Sequence, residues 1–382
     1  MAGIWSRLFR GPVTETRSSF QVFGENSLQA GIPVNAALAE NLATVCACVG
    51  AVSSGLASLP AYVYRRDGAS RVEAPTHPVS RLIRQPNPRQ TWPDFIEWLI
   101  SSALLHGNAL AAIEYDGAGR PVALLPVPWN AVQPIMLPSG RLAFDVVTHR
   151  TVGGGAGMPR RYLAGEVLHL KDRTDDSWLG RSRISRAAGV MSAAIGLQTY
   201  SAAIWDNAAT PSGIVTLPPN VTRAQKDAIE AYLFARNQGA NNAKNVLFVD
   251  RDTTWQSVSV SPEDAEVLAS RRFSGEELAR VFGVPPPIIG DLSHGTFTNS
   301  ETAGRWFAQF TLAPWARKIE AEFARSVFGD GAAHLEIDLS GLMRGDYAAR
   351  WTANVAAVQA GILLPNEVRD AEGYNPLPAV VA

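Results

Sequence analysis

Gly283-Val284-Pro285-Pro286-Pro287 constrains this chain more than any other stretch, because it cuts a long helix-forming region in two. Glycine favours the left-handed turn that ends a helix, and consecutive prolines lack the N–H groups that would continue one. Upstream, Ser261-Pro262-Glu263-Asp264 reads as a helix start: serine caps an orphan N–H, proline suits the first turn, and two carboxylates face the positive end of the dipole. This predicts a helix ending at Phe282, then a loop over Ile289-Gly290-Asp291-Leu292-Ser293-His294-Gly295-Thr296-Phe297. Thr298 and Glu301 have capping-box spacing ahead of a second helix towards Phe328. Pro314 falls inside that helix, where its missing N–H and ring clash predict a kink. Trp306, Phe307, Phe310, Trp315, Ile319 and Phe323 predict that the helix is buried against neighbours.

The segments before it predict an α+β lobe. Residues 1–30 are polar and weakly periodic, which suits an arm ordered only by its neighbours. Asn35 can cap a buried helix through Leu38, Leu42, Val45, Val49 and Val52, ending near Gly55 and Pro60. Ala61 to Arg66 reads as a strand with a turn at Asp67-Gly68, His77 to Pro88 brackets a short helix, and Trp92-Pro93-Asp94 opens a longer one. Alternation after Gly107-Asn108-Ala109 predicts a strand to Tyr115, a hairpin at Asp116-Gly117, and strands at 122–125, 132–135, 142–147 and 167–170, with Gly153-Gly154-Gly155 in a loop.

From Ile184 to Ala209 small residues dominate, with Ile184, Ala188, Met191, Ile195, Gln198, Ala202 and Trp205 on a stripe that lets a facing helix approach closely. A βαββ insert follows: strand 214–217, a helix opened by Thr222-Arg223-Ala224-Gln225, and paired strands 246–249 and 255–260. An insert between two helices predicts a small lobe on a two-helix stalk. Later, 335–339 alternates as a strand, Asp346 caps a helix bearing Tyr347, Trp351, Val355 and Val358 that Gly361 ends, and Asn366 to Arg369 gives a last helical turn.

Composition excludes several functions. A net charge of −1 over 382 residues gives no basic footprint for tight nucleic-acid binding, although a wall that does not hold phosphates suits DNA that must slide. Ten tryptophans with only 18% charged residues predict surface covered by partners. Cys46 and Cys48, the only cysteines, are two apart on a predicted helix and point to different sides, so they read as small buried residues in a reducing compartment rather than metal ligands. The chain has no Gly-Lys dipeptide for a Walker A loop and no Gly-x-Ser-x-Gly elbow. Its six histidines, His77, His106, His149, His169, His294 and His334, are scattered without metal-site spacing. Asp175-Asp176 and Glu276-Glu277 read as a solvated turn and a helix face, and His294 would titrate near neutrality in its loop. No run is long enough to span a membrane.

Taken in order, these signals resemble the portal protein, or head-to-tail connector, family of tailed bacteriophages, in its shorter-chain branch. The resemblance runs from Asn35 to Pro376. It is carried by Glu276-Glu277-Leu278-Ala279-Arg280-Val281-Phe282-Gly283-Val284-Pro285-Pro286, Ile289-Gly290-Asp291, Phe297-Thr298-Asn299-Ser300-Glu301 and Thr311-Leu312-Ala313-Pro314-Trp315. Gln85-Pro86-Asn87-Pro88, Gly107-Asn108-Ala109, Val167-Leu168-His169-Leu170, Gly180-Arg181-Ser182 and Asn366-Glu367-Val368-Arg369 support it. Thr302-Ala303-Gly304 departs from it, standing where a Gln-containing segment is usual.

The resemblance implies an α+β portal fold assembling into a twelve-subunit ring at one capsid vertex of the virion, put together in the host cytoplasm. Double-stranded DNA would pass through the channel without sequence specificity during packaging and ejection. The ring would nucleate procapsid assembly, contact the major capsid protein, dock the terminase large subunit and then receive head-tail adaptors. It implies a flexible arm at 1–30, a wing at 31–183, a first stem helix at 184–209, a clip at 210–260 and a second stem helix at 261–285. A tunnel loop at 286–299, a kinked channel helix and wing strand at 300–340, and a crown and tail at 341–382 complete the mapping. Gly290, Asp291, Leu292, Ser293, His294, Gly295, Thr296, Phe297, Thr298 and Asn299 would then face the channel, with Pro314 at the helix kink. No catalytic residue, metal, cofactor or membrane is implied.

Two other classes fit parts of the chain. A capsid-maturation enzyme needs a nucleophile and a base from separate segments, and no such set is visible. A non-channel capsid scaffolding or adaptor protein would differ from a portal by forming no ring.

Overall fold

The computed structural model describes residues 27–29, 32–67, 70–146, 160–206, 214–216, 222–224, 254–256, 263–292, 297–328, 333–343, 347–372, 374–375 and 377. It opens with an antiparallel hairpin, β1 (Ser27–Gln29) and β2 (Ile32–Val34), at the end of the stretch read as an arm, whose residues 1–26 lie outside the described residues. The single helix expected after Asn35 is two, α1 (Ala36–Glu40) and α2 (Ala43–Ala57). Asn35 does cap the first, its side chain accepting the Leu38 N–H at 2.8 Å. The break comes at Leu42, which takes an extended backbone with its side chain buried.

β3 (Ala61–Asp67), β4 (Ser70–Glu73), α3 (Pro78–Arg84), α4 (Trp92–His106), β5 (Asn108–Tyr115), β6 (Pro121–Val127), β7 (Val132–Met136), β8 (Leu142–Val146), β9 (Arg160–Leu163) and β10 (Val167–Lys171) follow. α4 starts with a capping box: the Thr91 hydroxyl donates to Asp94 Oδ2 at 2.6 Å and the Thr91 N–H to the same oxygen at 3.0 Å, and these bonds hold the Asp94 carboxyl below the usual range. β9 is not legible as a strand, because Arg160-Arg161-Tyr162-Leu163 lacks apolar alternation. Register holds it instead, with Arg161 forking onto Asp145 of β8 at 2.8 and 3.1 Å.

After these come α5 (Arg183–Arg186), α6 (Ala188–Asp206), β11 (Ile214–Thr216), β12 (Thr254–Gln256), α7 (Glu263–Phe282), α8 (Phe297–Trp306), α9 (Ala313–Phe323), β13 (Ala333–Ile337), α10 (Ser340–Met343), α11 (Tyr347–Gln359) and α12 (Pro365–Ala371). The helix expected from Ile184 is thus α5 and α6, broken where Ala187 leaves helical geometry at ψ 30°. Its apolar stripe packs only at the near end: Ile184, Ala188 and Met191 are buried, whereas Gln198 and Ala202 are exposed. In the insert, β11 pairs antiparallel with β12. Gly153-Gly154-Gly155, strand 246–249, most of the helix after Thr222, and the caps Ser261 and Asp346 lie outside the described residues.

Among the described residues the strands form three antiparallel three-stranded sheets, ordered β13-β3-β4, β10-β5-β6 and β7-β8-β9, besides the pairs β1-β2 and β11-β12, and the first two sheets pack against helices. The main core gathers Val45, Val49 and Val52 of α2, Phe95 and Leu99 of α4, and Trp315, Ile319 and Phe323 of α9. A smaller core under the third sheet holds Trp129, Phe144 and Tyr162. Cys48 is buried, its thiol pushed up to about 12 by burial, while Cys46 is exposed rather than buried, as residues two apart on one helix must diverge.

His169 is buried, stacked 5.9 Å from Trp129 and edge-on 5.0 Å from Phe144, with Nε2 3.0 Å from Asn108 Oδ1. Burial pushes its pKa from 6.5 down to about 3. The unfolded chain therefore takes up the proton first, so stability is complete above pH 6.5 and is lost progressively as pH falls towards 3. Urea denaturation is expected to show a loss of about 2 kcal/mol from this site by pH 5, absent in His169→Gln. Identical pH slopes for the two proteins would contradict the buried neutral imidazole.

Candidate functional site

The end of α7 follows the chemistry of its sequence. Gly283, at φ 71°, bonds its N–H to Arg280 O at 3.1 Å, and the Val284 N–H reaches Ala279 O at 3.0 Å. Only glycine adopts that left-handed geometry freely, and the two bonds satisfy carbonyls the helix leaves open. Pro286–Ile289 forms a 3-10 turn that stops the same way at Gly290, at φ 86°. The Asp291 N–H returns to Pro286 O at 3.1 Å, and Leu292 is 62% exposed.

Of the loop residues singled out, Gly290, Asp291 and Leu292 lie on this turn, while Ser293, His294, Gly295 and Thr296 lie outside the described residues. Phe297, Thr298 and Asn299 are not loop but the first turn of α8. The helix begins ahead of the expected Thr298 cap, within the slippage that helix ends tolerate.

Pro314 is not in the interior of a regular helix. Between α8 and α9 the ladder widens into a π segment, Phe307–Leu312, and Pro314 sits in the first turn of α9 directly after it. The register change takes up the missing donor that a proline imposes. The expected burial also splits. Phe307, Trp315, Ile319 and Phe323 are buried, with Phe307 and Leu312 closing on Gly55 of α2, but Trp306 and Phe310 are 60% and 66% exposed, edge-to-face at 6.3 Å. Residues four apart share a face. That face is exposed.

A polar network fastens this junction to the lobe. Arg183 Nη1 donates to Phe282 O at 2.6 Å and Nε to Asp172 Oδ2 at 2.9 Å, and its guanidinium lies 5.7 Å from the Trp315 ring centre. Lys318 Nζ is 5.1 Å from the same ring, donates to Lys171 O at 3.1 Å and stands 4.0 Å from Asp172 Oδ1. Burial pulls the Lys318 ammonium below the usual lysine range, more than Asp172 restores. The Thr311 hydroxyl donates to Gly283 O, joining the π segment to the end of α7. Two carboxylates of α9 block sheet edges: Glu320 Oε1 accepts the Ile337 N–H of β13, and Glu322 Oε1 the His169 N–H of β10, each at 2.9 Å.

Sequence reasoning did not single out Arg183, Asp172 or Lys318, and Thr311 entered only within Thr311-Leu312-Ala313-Pro314-Trp315, with no partner of its own. Gly180-Arg181-Ser182 pointed to the neighbourhood, and Ser182 does cap α5, accepting the Ser185 N–H at 3.0 Å. Nothing in periodicity joins Arg183 to a carbonyl 99 residues away. The other carboxylate pairs are structural: Asp176 Oδ1 takes the Trp178 and Leu179 N–H groups, Asp175 pairs with Arg186, and Glu276 with Arg280. Among the described residues no group of three or more His, Cys, Asp or Glu is placed to hold a metal ion, and no helix is long and apolar enough to cross a membrane. The arrangement is mechanical: a short turn and loop carried where the helix pair, the π segment and two sheets meet.

Comparison with known proteins agrees with this architecture. The chain is 29% identical over 347 residues to the portal protein of Enterobacteria phage HK97, covering 88% of this chain and 80% of that one. It is 28% identical over 353 residues to the probable portal protein of Streptomyces phage phiC31, covering 88% and 75%. Among solved structures, a chain from the neck of an empty gene transfer agent particle superimposes with a TM-score of 0.62 at 24% identity, covering 90% of this chain and 92% of that one. An HK97-family phage portal protein from Corynebacterium diphtheriae gives a TM-score of 0.58 at 18% identity, covering 85% and 99%. The model of the phage portal protein family matches residues 43–373. The chain, with its α+β portal fold, belongs to the phage portal protein family.

Proposed function

We propose that this protein forms a twelve-subunit ring at one vertex of a phage capsid, through which double-stranded DNA is packaged and ejected. The family match over residues 43–373 carries the reading. In it the ring nucleates procapsid assembly, contacts the major capsid protein, docks the terminase large subunit and later a head-tail adaptor, and acts structurally rather than as an enzyme. It is assembled in the host cytoplasm and stays in the virion. α6 and α7 serve as stem, residues 210–260 as clip, the lobe before them as wing and residues 341–382 as crown.

Gly290 to Asn299 is the segment assigned to meet DNA, with the Pro314 helix behind it. Two features support that assignment. The junction gives the loop a rigid base through Arg183, Thr311 and the two glycine stops. The loop carries no Lys or Arg, so it can touch phosphates without releasing counterions and gripping them.

Sedimentation and negative-stain imaging of the purified chain are expected to show rings. Only monomers or dimers under assembly conditions would favour a non-channel adaptor. Deleting Asp291 to Thr296 should leave rings intact while lowering packaged DNA per head, because a loop that gates passage acts on the step that limits it. Normal full-head yields would remove the loop from the mechanism.

A further inference from the structure

We infer that Phe273 of one copy seats in a groove between α6 and α7 of the next, and that this contact helps to close the ring. The inference rests on the ring proposed above and names the surfaces that would join it. A ring built by rotation needs a heterologous interface, in which a patch on one flank of each subunit meets a different patch on the opposite flank of its neighbour. The two stem helices supply such a pair.

The concave partner is lined by apolar Leu42, Ala194, Leu197 and Leu278 and by uncharged polar Gln198 and Ser274, with Asn41, Ala43 and Thr44 of the α1–α2 turn at its edge, and no charged side chain lines it. Its volume is about 170 Å³. A cavity of about 150 Å³ lined by apolar groups is enough to take up benzene. One phenyl ring is therefore the right size of occupant.

The convex partner is Phe273, 57% exposed on a helix whose buried contacts lie elsewhere. Ser274, Gly275 and Leu278 of α7 face the groove. At 3.6 residues per turn, Phe273 projects about 150° round the helix from the centre of that face. Knob and groove thus lie on opposite flanks of the same subunit. They also share a level, because Phe273 is one residue, about 1.5 Å of helix rise, from Ser274. Where α7 runs along the ring axis, as the stem role proposed for it requires, rotation moves a side chain round the axis and not along it, so a level match is what the contact requires. Tyr200, 56% exposed on α6, fits less well, since it projects only about 120° from the groove-facing side of its own helix.

The test uses the full chain carrying Cys46→Ser, which removes the exposed thiol and leaves the buried Cys48 in place. Rings of the parent are first confirmed by negative stain. Phe273→Cys combined with Leu197→Cys is then oxidised and run without reductant. The expected result is a ladder of covalent oligomers from dimer upward, absent from either single variant. Phe273→Ala should weaken subunit association at least about tenfold, and Phe273→Leu should restore most of it. Rings without a ladder, a dimer band alone, or Phe273→Ala assembling like the parent would overturn the contact while leaving the ring standing. Failure of the parent to form rings would instead overturn the ring, and the contact with it.

Discussion

Gly180→Ala is expected to cost about 4 kcal/mol or more, a large share of the about 5–15 kcal/mol that a domain of this kind holds in total, and so to lower both the melting temperature and the soluble yield sharply. A Cβ at Gly180 would stand 1.9 Å from Gly107 O and 3.0 Å from the Asp172 nitrogen. Both obstacles are backbone, so no rotamer change relieves them. The two segments are locked together from the other side as well: the Gly180 N–H donates to Asn108 Oδ1 and Asn108 Nδ2 to Gly180 O, each at 2.8 Å, while the Asp172 N–H reaches Gly107 O at 2.9 Å. Yielding at Gly180 would break these bonds and unseat the Nε2 of His169 from the same Asn108 oxygen. Gly117→Ala is the control, because its Cβ would meet nothing within 4 Å, and it should stay within about 0.5 kcal/mol of the parent. Thermal melts and soluble yield separate the cases. A Gly180→Ala protein melting with the parent would show that these backbones are not in contact.

The Gly107–Gly180 contact also marks where the sequence stopped being legible. Gly107-Asn108-Ala109 and Gly180-Arg181-Ser182 could each be recognised as a short signal, because a left-handed stop before a strand and a serine cap before a helix are local events. Their meeting across 72 residues is a tertiary fact with no local trace. The same division holds along the chain. Hairpins with turn residues, capped helices and the Gly-Pro stop after Phe282 follow from neighbours a few residues apart. β9 escaped notice because its two arginines are held by Asp145 and by the Tyr162 ring, 4.6 Å from Arg160, rather than by alternation.

Burial on the second helix shows a subtler limit. Its aromatic residues could be counted from the sequence, but their faces could not be assigned, because the π segment shifts the register at Phe307. A regular 3.6-residue period would set Phe307, like Trp306 and Phe310, off the stripe shared by Trp315, Ile319 and Phe323, and the widened turn brings Phe307 alone of the three onto it. Trp306 and Phe310 stay exposed. For the proposed channel segment, the glycine stops that bound it were legible by type and position. The residues that brace this junction, Arg183, Asp172 and Lys318, were not, and Thr311 was visible only without its partner, since each acts on a segment far away in sequence.

Those holding residues support the second large expectation. Arg183→Met should cost about 3–5 kcal/mol, the penalty for leaving one charge of a buried pair without its partner. The Asp172 side chain is 8% exposed, and Lys318, the other nearby cation, is 4.0 Å away and already spends a proton on Lys171 O. Phe282 O also loses its donor, so the end of α7 is freed at the turn that carries the loop. Asp172→Leu alone should cost a similar amount, by leaving Arg183 unpaired. Combining it with Arg183→Met removes both charges, so the double variant should be more stable than the sum of the single losses predicts, by about 1–3 kcal/mol. It should not regain the parent's stability, because the bond to Phe282 O is absent in both proteins that lack Arg183. Urea midpoints at one fixed protomer concentration measure the cycle, since any ring formation would otherwise shift them. Hydrogen exchange adds a local readout: amides of Gly283, Val284 and Asp291 should open faster in Arg183→Met and in the double variant than in Asp172→Leu. Additive losses, with unchanged exchange at those amides, would mean that the network is incidental and that the loop draws its rigidity from the glycine stops and Thr311 alone.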